Sequence, residues 1–336
     1  MTPARRPRLA VGLAALTALA LAACGTTEDP ATAAPDDEPG ASAPSDADAG
    51  PVTVTDERGE VTLDAPAQDV VSLEWGLTEN LLSLGVVPVG QADVEGYNTW
   101  NTVEPLEGDV ADVGFRGEPS LEAIAALDAD LVVTTTDLPE DVIAQIEETV
   151  PVLALRGSDA TDPLGYMERT VELLGEVTGT QDRAAELLEG FDAAVAEGRA
   201  ALEEAGLAGA PVVMADGWDT NGVVSIRMFT DGSYLGAILE ELGLDNVWTG
   251  EGDPDYGLAQ TDVEGLTVLE DVDFLYLVNG AFTDPFGETL AGNPVWEQRP
   301  FVAAGDVHRL PDGIWLFGGP AAGEAYVDAV VDALTR

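Results

Sequence analysis

The sequence predicts an α/β protein of two lobes, each with a mainly parallel central sheet, joined by one long inter-lobe helix. Three observations predict it. Short apolar runs alternate with segments of helical spacing from residue 52 to about residue 177. The same alternation resumes at residue 211, and between the two series one uninterrupted stretch, 180–205, carries a single apolar stripe. Strands that alternate with helices build parallel sheets, because a parallel neighbour is reached only through a crossover.

The first series has strands over 61–63, 69–73, 86–89, 130–134 and 151–155, aliphatic and β-branched runs bounded by turn formers. Helices fall between them at 78–84, 120–127 and 140–148, with Ser120 in an N-cap position behind Pro119. A helix over 162–177 leads into the long one. There Ala184, Leu187, Leu188, Phe191, Val195 and Leu202 recur at three- and four-residue steps, and Gly206 and Gly209 end the run. At ~1.5 Å per residue this helix reaches about 40 Å, enough to join two lobes. The second series has strands over 212–215, 223–228, 274–278, 307–310 and 314–317, with helices over 233–242, 262–269, 285–291 and 319–334.

Ahead of the first strand, Arg5, Arg6 and Arg8 precede an apolar run from Leu9 to Ala22 that is too short for a mature membrane span. It ends in Leu21-Ala22-Ala23-Cys24, which resembles a bacterial lipobox, and Cys24 is the single cysteine of the chain. Residues 1–23 are therefore expected to be a removable export signal, with Cys24 lipidated and anchored on the extracytoplasmic face of the membrane. Residues 24–51, rich in Ala, Pro, Asp, Ser and Thr, read as a disordered acidic tether. The lobes are expected at 52–179 and 207–336, with the joining helix at 180–206. A lone cysteine leaves no disulfide, so burial alone holds the cores.

The formal net charge is −50, with 63 acidic residues against 13 basic ones, all of them arginine. A surface of this sign repels phosphate backbones, which excludes nucleic acid as a partner. Solubility accounts for most of the acidity.

The order of short motifs along the chain resembles one family. Val71-Ser72-Leu73-Glu74-Trp75 followed by Thr78-Glu79-Asn80-Leu81-Leu82-Ser83-Leu84-Gly85, then Val113-Gly114-Phe115-Arg116 with Glu118-Pro119-Ser120-Leu121-Glu122, then Asn293-Pro294-Val295-Trp296 and Gly313-Ile314-Trp315-Leu316-Phe317-Gly318-Gly319, are similar to the signatures of ferric-siderophore binding proteins of ABC importers. The hydroxamate-binding branch is the most similar. The resemblance implies a helical-backbone, bilobal periplasmic-binding-protein fold and a ferric siderophore held in a cleft between the lobes. It also implies delivery to a permease dimer, no cofactor besides that ligand, and a monomer. One departure stands out: where the hydroxamate branch often carries a tyrosine, this chain has Thr135-Thr136-Asp137-Leu138.

In a ferric siderophore the iron is already saturated by ligand oxygens, so the protein needs donors to those oxygens and flat surfaces for the organic shell. Arg116, between a strand and a capped helix, is the first donor expected. Trp100, Tyr256, Trp315 and Phe317 are the expected aromatic contacts, the last two alternating on the strand expected over 314–317. Trp75, Tyr97 and Arg227 form a second group. Arg227 interrupts an apolar run and must be paired, exposed at an edge, or aimed at ligand. By resemblance Glu140 and Glu264, one per lobe, are the acidic anchors that meet permease arginines.

Other functions fit less well. A protein that binds bare zinc or manganese relies on several histidines or thiolates, and the only histidine here is His308. A cobalamin or haem carrier of the same fold would use the same aromatic cleft. No nucleophile elbow, phosphate loop or zinc helix points to an enzyme, and His308 reads as an ordinary strand residue.

Overall fold

The computed structural model describes residues 50–336. The export signal, Cys24 and all but the last two residues of the tether lie outside them.

A hairpin of β1 (Val52–Thr55) and β2 (Glu60–Leu63) opens the described chain. The first half then builds an all-parallel sheet from β3 (Val70–Ser72), β4 (Gly90–Gln91), β5 (Ala111–Asp112), β8 (Leu131–Thr135) and β9 (Val152–Leu155), in the order β5-β4-β3-β8-β9. Between β5 and β8 a two-residue hairpin, β6 (Gly114–Phe115) and β7 (Glu118–Pro119), projects Arg116 at its tip. Both faces of β8 and β9 are covered, and every residue of these strands is buried, so they read as continuous apolar runs rather than alternating ones.

Helices α1 (Trp75–Ser83), α2 (Val94–Trp100), α3 (Leu121–Ala125), α4 (Glu140–Glu147) and α5 (Pro163–Thr178) connect and flank this sheet. Their starts follow local side-chain chemistry. Glu74 caps α1, Asp93 caps α2 from a left-handed backbone at φ 56°, and Ser120 Oγ accepts from the Ala123 N–H at 3.2 Å.

The long helix α6 (Gln181–Glu204) follows, and Gly206 at φ 78° lets the chain leave it. The second half pairs β10 (Pro211–Thr220) with β11 (Val223–Phe229) and β11 with β13 (Leu258–Thr261), both antiparallel. It adds β12 (Asp245–Asn246), β14 (Asp273–Leu277) and β15 (Val307–Arg309) in parallel. Its helices are α7 (Tyr234–Glu241), the short α8 (Pro294–Glu297) and α9 (Pro300–Ala304), and α10 (Pro320–Thr335). One apolar cluster runs from Val70 and Leu131 of the first sheet, through Leu187 and Phe191 of α6, to Met214 of β10 and Tyr326 of α10. The two halves therefore share a core.

Four local expectations need correction. Residues 86–89 form no strand, because Pro88 has no N–H to give and pairing begins at Gly90. The polar segment around Tyr97 and Trp100, for which the sequence pattern predicts no element, is the helix α2. Residues 262–269 hold only a 3-10 turn, Gly265–Val268, and 285–291 a π-helical turn, Pro285–Thr289, fixed by Asp284. The run 314–317 finds no strand partner and is a loop. Tyr256 stands just before the strand β13.

Candidate functional site

A cleft of about 790 Å³ opens between the two halves, lined by α1 and the β6–β7 tip on one side and by β10, β11 and the loops around Tyr256 and Trp315 on the other. Arg116 is its best-defined donor. The guanidinium carbon lies 3.9 Å from the centroid of the Trp75 ring, and Nη1 donates to Glu74 Oε1 at 2.9 Å. That is its one hydrogen bond among the described residues. A guanidinium carries five N–H groups, so Arg116 sits over the indole with donors to spare. Glu74 serves twice, as cap of α1 and as counter-ion to Arg116. Burial pushes its carboxyl up, against the downward pull of Arg116.

From Trp75 an aromatic floor crosses into the second half. Trp75 meets Trp315 edge-on at 5.0 Å between centroids, Trp315 meets Phe317 at 5.5 Å, and Phe317 meets Tyr256 at 5.4 Å. Gly76 permits this junction, since a β-carbon there would run into the Phe317 carbonyl. Arg227 lies 5.2 Å from the Phe317 ring. It sits opposite Asp216 in the β10–β11 register and grips that carboxylate with both Nε, at 2.9 Å, and Nη2. Burial pushes the Asp216 carboxyl up while Arg227 draws it down.

Tyr256 is placed by a turn that Asp253 holds, its Oδ1 accepting from the N–H groups of Tyr256 at 2.7 Å and Asp255 at 3.0 Å. The phenol then crosses the cleft and donates to Asp137 Oδ2. Burial pushes its pKa far up, so it remains a donor at any ordinary pH. Arg156 completes the polar lining, donating to Asp159 at 2.7 Å and Glu57 at 3.2 Å. Among the described residues no group of three or more His, Cys, Asp or Glu is arranged to hold a metal ion, and no helix is long and apolar enough to cross a membrane.

The family model described as periplasmic binding protein matches residues 70–313, well over half of the chain. The chain belongs to the periplasmic binding protein family. It is 27% identical over 267 residues to the iron(3+)-hydroxamate-binding protein FhuD of Escherichia coli, covering 79% of this chain and 86% of that one. It is 29% identical over 213 residues to the Fe(3+) dicitrate-binding periplasmic protein FecB of the same organism, covering 62% of this chain and 67% of that one. Among solved structures it is similar to the Fe3+-Desferal-bound siderophore-binding protein FhuD of Vibrio cholerae, with a TM-score of 0.70, 27% identity, and coverage of 80% of this chain and 98% of that one.

Within this member of the family, the cleft brings together seven of the residues singled out from sequence: Arg116, Trp100, Trp75, Tyr256, Trp315, Phe317 and Arg227. Trp75 is both core and floor, because it is buried yet offers one ring face to Arg116. Trp315 and Phe317 reach the cleft from a loop rather than from one face of a strand. Trp100 lines the cleft but stacks on Phe282 at 5.3 Å, which occupies part of its surface. Tyr97 does not belong to the site. It is fully buried, and its hydroxyl donates to the Glu104 carbonyl at 2.6 Å, a core position set by the inward face of α2.

Glu140 and Glu264 are exposed and lie outside the cleft. Glu140 starts α4 and is held with Glu147 by Arg58, while Glu264 precedes the 3-10 turn. His308 pairs with Asp273 at 2.7 Å on β15. The residues that sequence reasoning missed are acids and one base: Glu74, Asp137, Asp216 and Arg156. Position before an N-terminal helical turn marks Glu74, but nothing in the sequence marks Asp137 and Asp216 among so many carboxylates, or Arg156 among the arginines.

Proposed function

We propose that this protein is an extracytoplasmic solute-binding protein that takes up a ferric siderophore of the hydroxamate type in the cleft and delivers it to an ABC importer. The observation that carries the proposal is the Arg116 guanidinium, seated on Trp75 at the edge of an aromatic floor built from both halves. Iron that arrives wrapped in hydroxamate oxygens presents partly negative acceptors on an apolar shell. A planar guanidinium answers the first and the Trp75–Trp315–Phe317–Tyr256 floor answers the second. No bond is made or broken in this cycle, and the iron stays on the siderophore. In the same proposal Cys24 carries the lipid anchor, the protein acts as a monomer, and Glu140 and Glu264 meet arginines of the permease.

Titration of tryptophan fluorescence with a ferric trihydroxamate tests this directly, because two of the floor residues are the reporters. Saturable 1:1 quenching is expected. Arg116→Ala should weaken binding by about ten-fold or more, as for a lost charged hydrogen bond. Absence of quenching by ferric hydroxamates, or saturable quenching by cobalamin or haem instead, overturns the ligand assignment. Unchanged affinity in Arg116→Ala removes Arg116 from it.

A further inference from the structure

Three arginines and three carboxylates line the cleft: Arg116, Arg156 and Arg227 against Glu74, Asp137 and Asp216. Each arginine has an acid. Arg116 takes Glu74, Arg227 takes Asp216, and Arg156 takes Glu57 and Asp159 from beside the cleft. Asp137 is the carboxylate left over, with no ion pair among the described residues.

Its surroundings hold it without neutralising it. The Tyr256 hydroxyl donates to Oδ2 from the opposite half, and Thr135 Oγ1 donates to the same oxygen at 3.1 Å. Oδ1 receives no hydrogen bond from any described residue. Gly157 leaves room for the arrangement, since a β-carbon there would overlap the Tyr256 hydroxyl. Asp137 also lies close enough to Glu74 for its repulsion to help raise that carboxyl. Glu74 has Arg116 as its partner while Asp137 has no arginine among the described residues, so this corner of the cleft holds two carboxylates and one guanidinium. Asp137 is exposed, and the two hydroxyl donors from different elements that fix its orientation bring no positive charge.

We propose that Asp137 Oδ1 is a subsite for a cationic substituent, a protonated amine, on the bound complex, so that the cleft prefers a ferric siderophore carrying an ammonium group over a neutral one of the same iron coordination. The proposal rests on the reading of the cleft as a ferric-siderophore site.

The test compares two ligands with identical iron coordination: ferrioxamine B, whose free amine is protonated at neutral pH, and its N-acetylated derivative, which has lost that charge. Fluorescence titration of the unsubstituted protein at low ionic strength should give about five-fold tighter binding of the amine form, the strength of a partly exposed ion pair. The ratio should shrink as salt is added. In Asp137→Asn, which keeps an oxygen for Tyr256 and Thr135, the ratio should fall to about one. A ratio of one in the unsubstituted protein overturns the subsite even while both complexes bind and the proposed function stands. A ratio preserved in Asp137→Asn also overturns it, assigning the preference to the overall field of a protein of charge −50. If neither complex binds the unsubstituted protein, the proposed function falls and the subsite with it.

Discussion

Arg116, Tyr256 and Arg227 reach the cleft in one manner: each polar head is tied to a carboxylate before any ligand arrives. Such tethering lowers the ordering entropy that binding would otherwise cost, and it keeps each charge from standing alone in a half-buried place. The tether of Tyr256 depends on a missing side chain. Its hydroxyl occupies the space in which a β-carbon at residue 157 would stand. Gly157→Ala should therefore displace the phenol from Asp137 while leaving the sheets intact. Thermal stability is expected to change by no more than about 1 kcal/mol, since the obstacle is the end of a flexible side chain. Ferric-siderophore affinity is expected to fall several-fold. An unaltered titration curve for Gly157→Ala would show that ligand binding does not use the tyrosine in this position.

At the scale of elements, the join between the halves turns on one buried acid. Glu79 of α1 accepts from the N–H groups of Gly319 at 2.8 Å and Ala322 at 3.3 Å, so a side chain of the first half caps α10 of the second. Its other oxygen accepts from Asn101 Nδ2 at 2.6 Å. Burial raises this carboxyl from 4.5 to about 7 despite those three donors. The folded protein thus holds a proton that the unfolded chain releases. The stabilisation is complete below pH 4.5 and is lost as pH rises through 7, amounting to roughly 3 kcal/mol across that window. Glu79→Gln is neutral at every pH, so its melting temperature should fall less between pH 5 and pH 8 than that of the unsubstituted protein. Glu74 and Asp216 shift in the same sense but are common to both proteins and cancel in the comparison. Equal falls in the two proteins would remove Glu79 from the pH response. Elements of this kind differ in how far the sequence reveals them. The buried strands β8 and β9 and the striped helix α6 announce themselves through apolar pattern. The loop 314–317 carries the same apolar signal without a strand partner, and α2 hides its helix behind Glu95, Asn98 and Thr99. The aromatic half of the cleft was legible because large rings in polar or loop contexts are few. The carboxylate half was not, because 63 acids offer no local mark of which will face an arginine.

For the whole molecule, the shared core sets how an importer would sense the loaded protein. Leu187 and Phe191 of α6 lie in one apolar cluster with strands of both sheets, so wide opening of the cleft would break buried contacts on both sides. With little closure available, recognition falls to surface groups present on each half, and the proposed anchors fit that need. Glu140 is exposed over 74% of its side chain yet held by Arg58, whose hydrogen bonds also draw its carboxyl below the usual range. Glu264 is exposed at the start of its turn. Glu140→Arg leaves Arg58 bound to Glu147, so the fold should tolerate the reversal, and exposed substitutions of this kind change stability by only about 0.5 kcal/mol. The double variant Glu140→Arg/Glu264→Arg is expected to bind a ferric trihydroxamate within about two-fold of the unsubstituted protein, since both sites lie outside the cleft and the net charge of −50 is little altered. In cells that depend on this protein for iron, the same variant should reduce uptake of the labelled ferric complex to background, because each reversed charge would face a permease arginine with like sign. Retained uptake would mean that docking uses other residues, and a loss of soluble affinity would place the two glutamates in ligand binding instead.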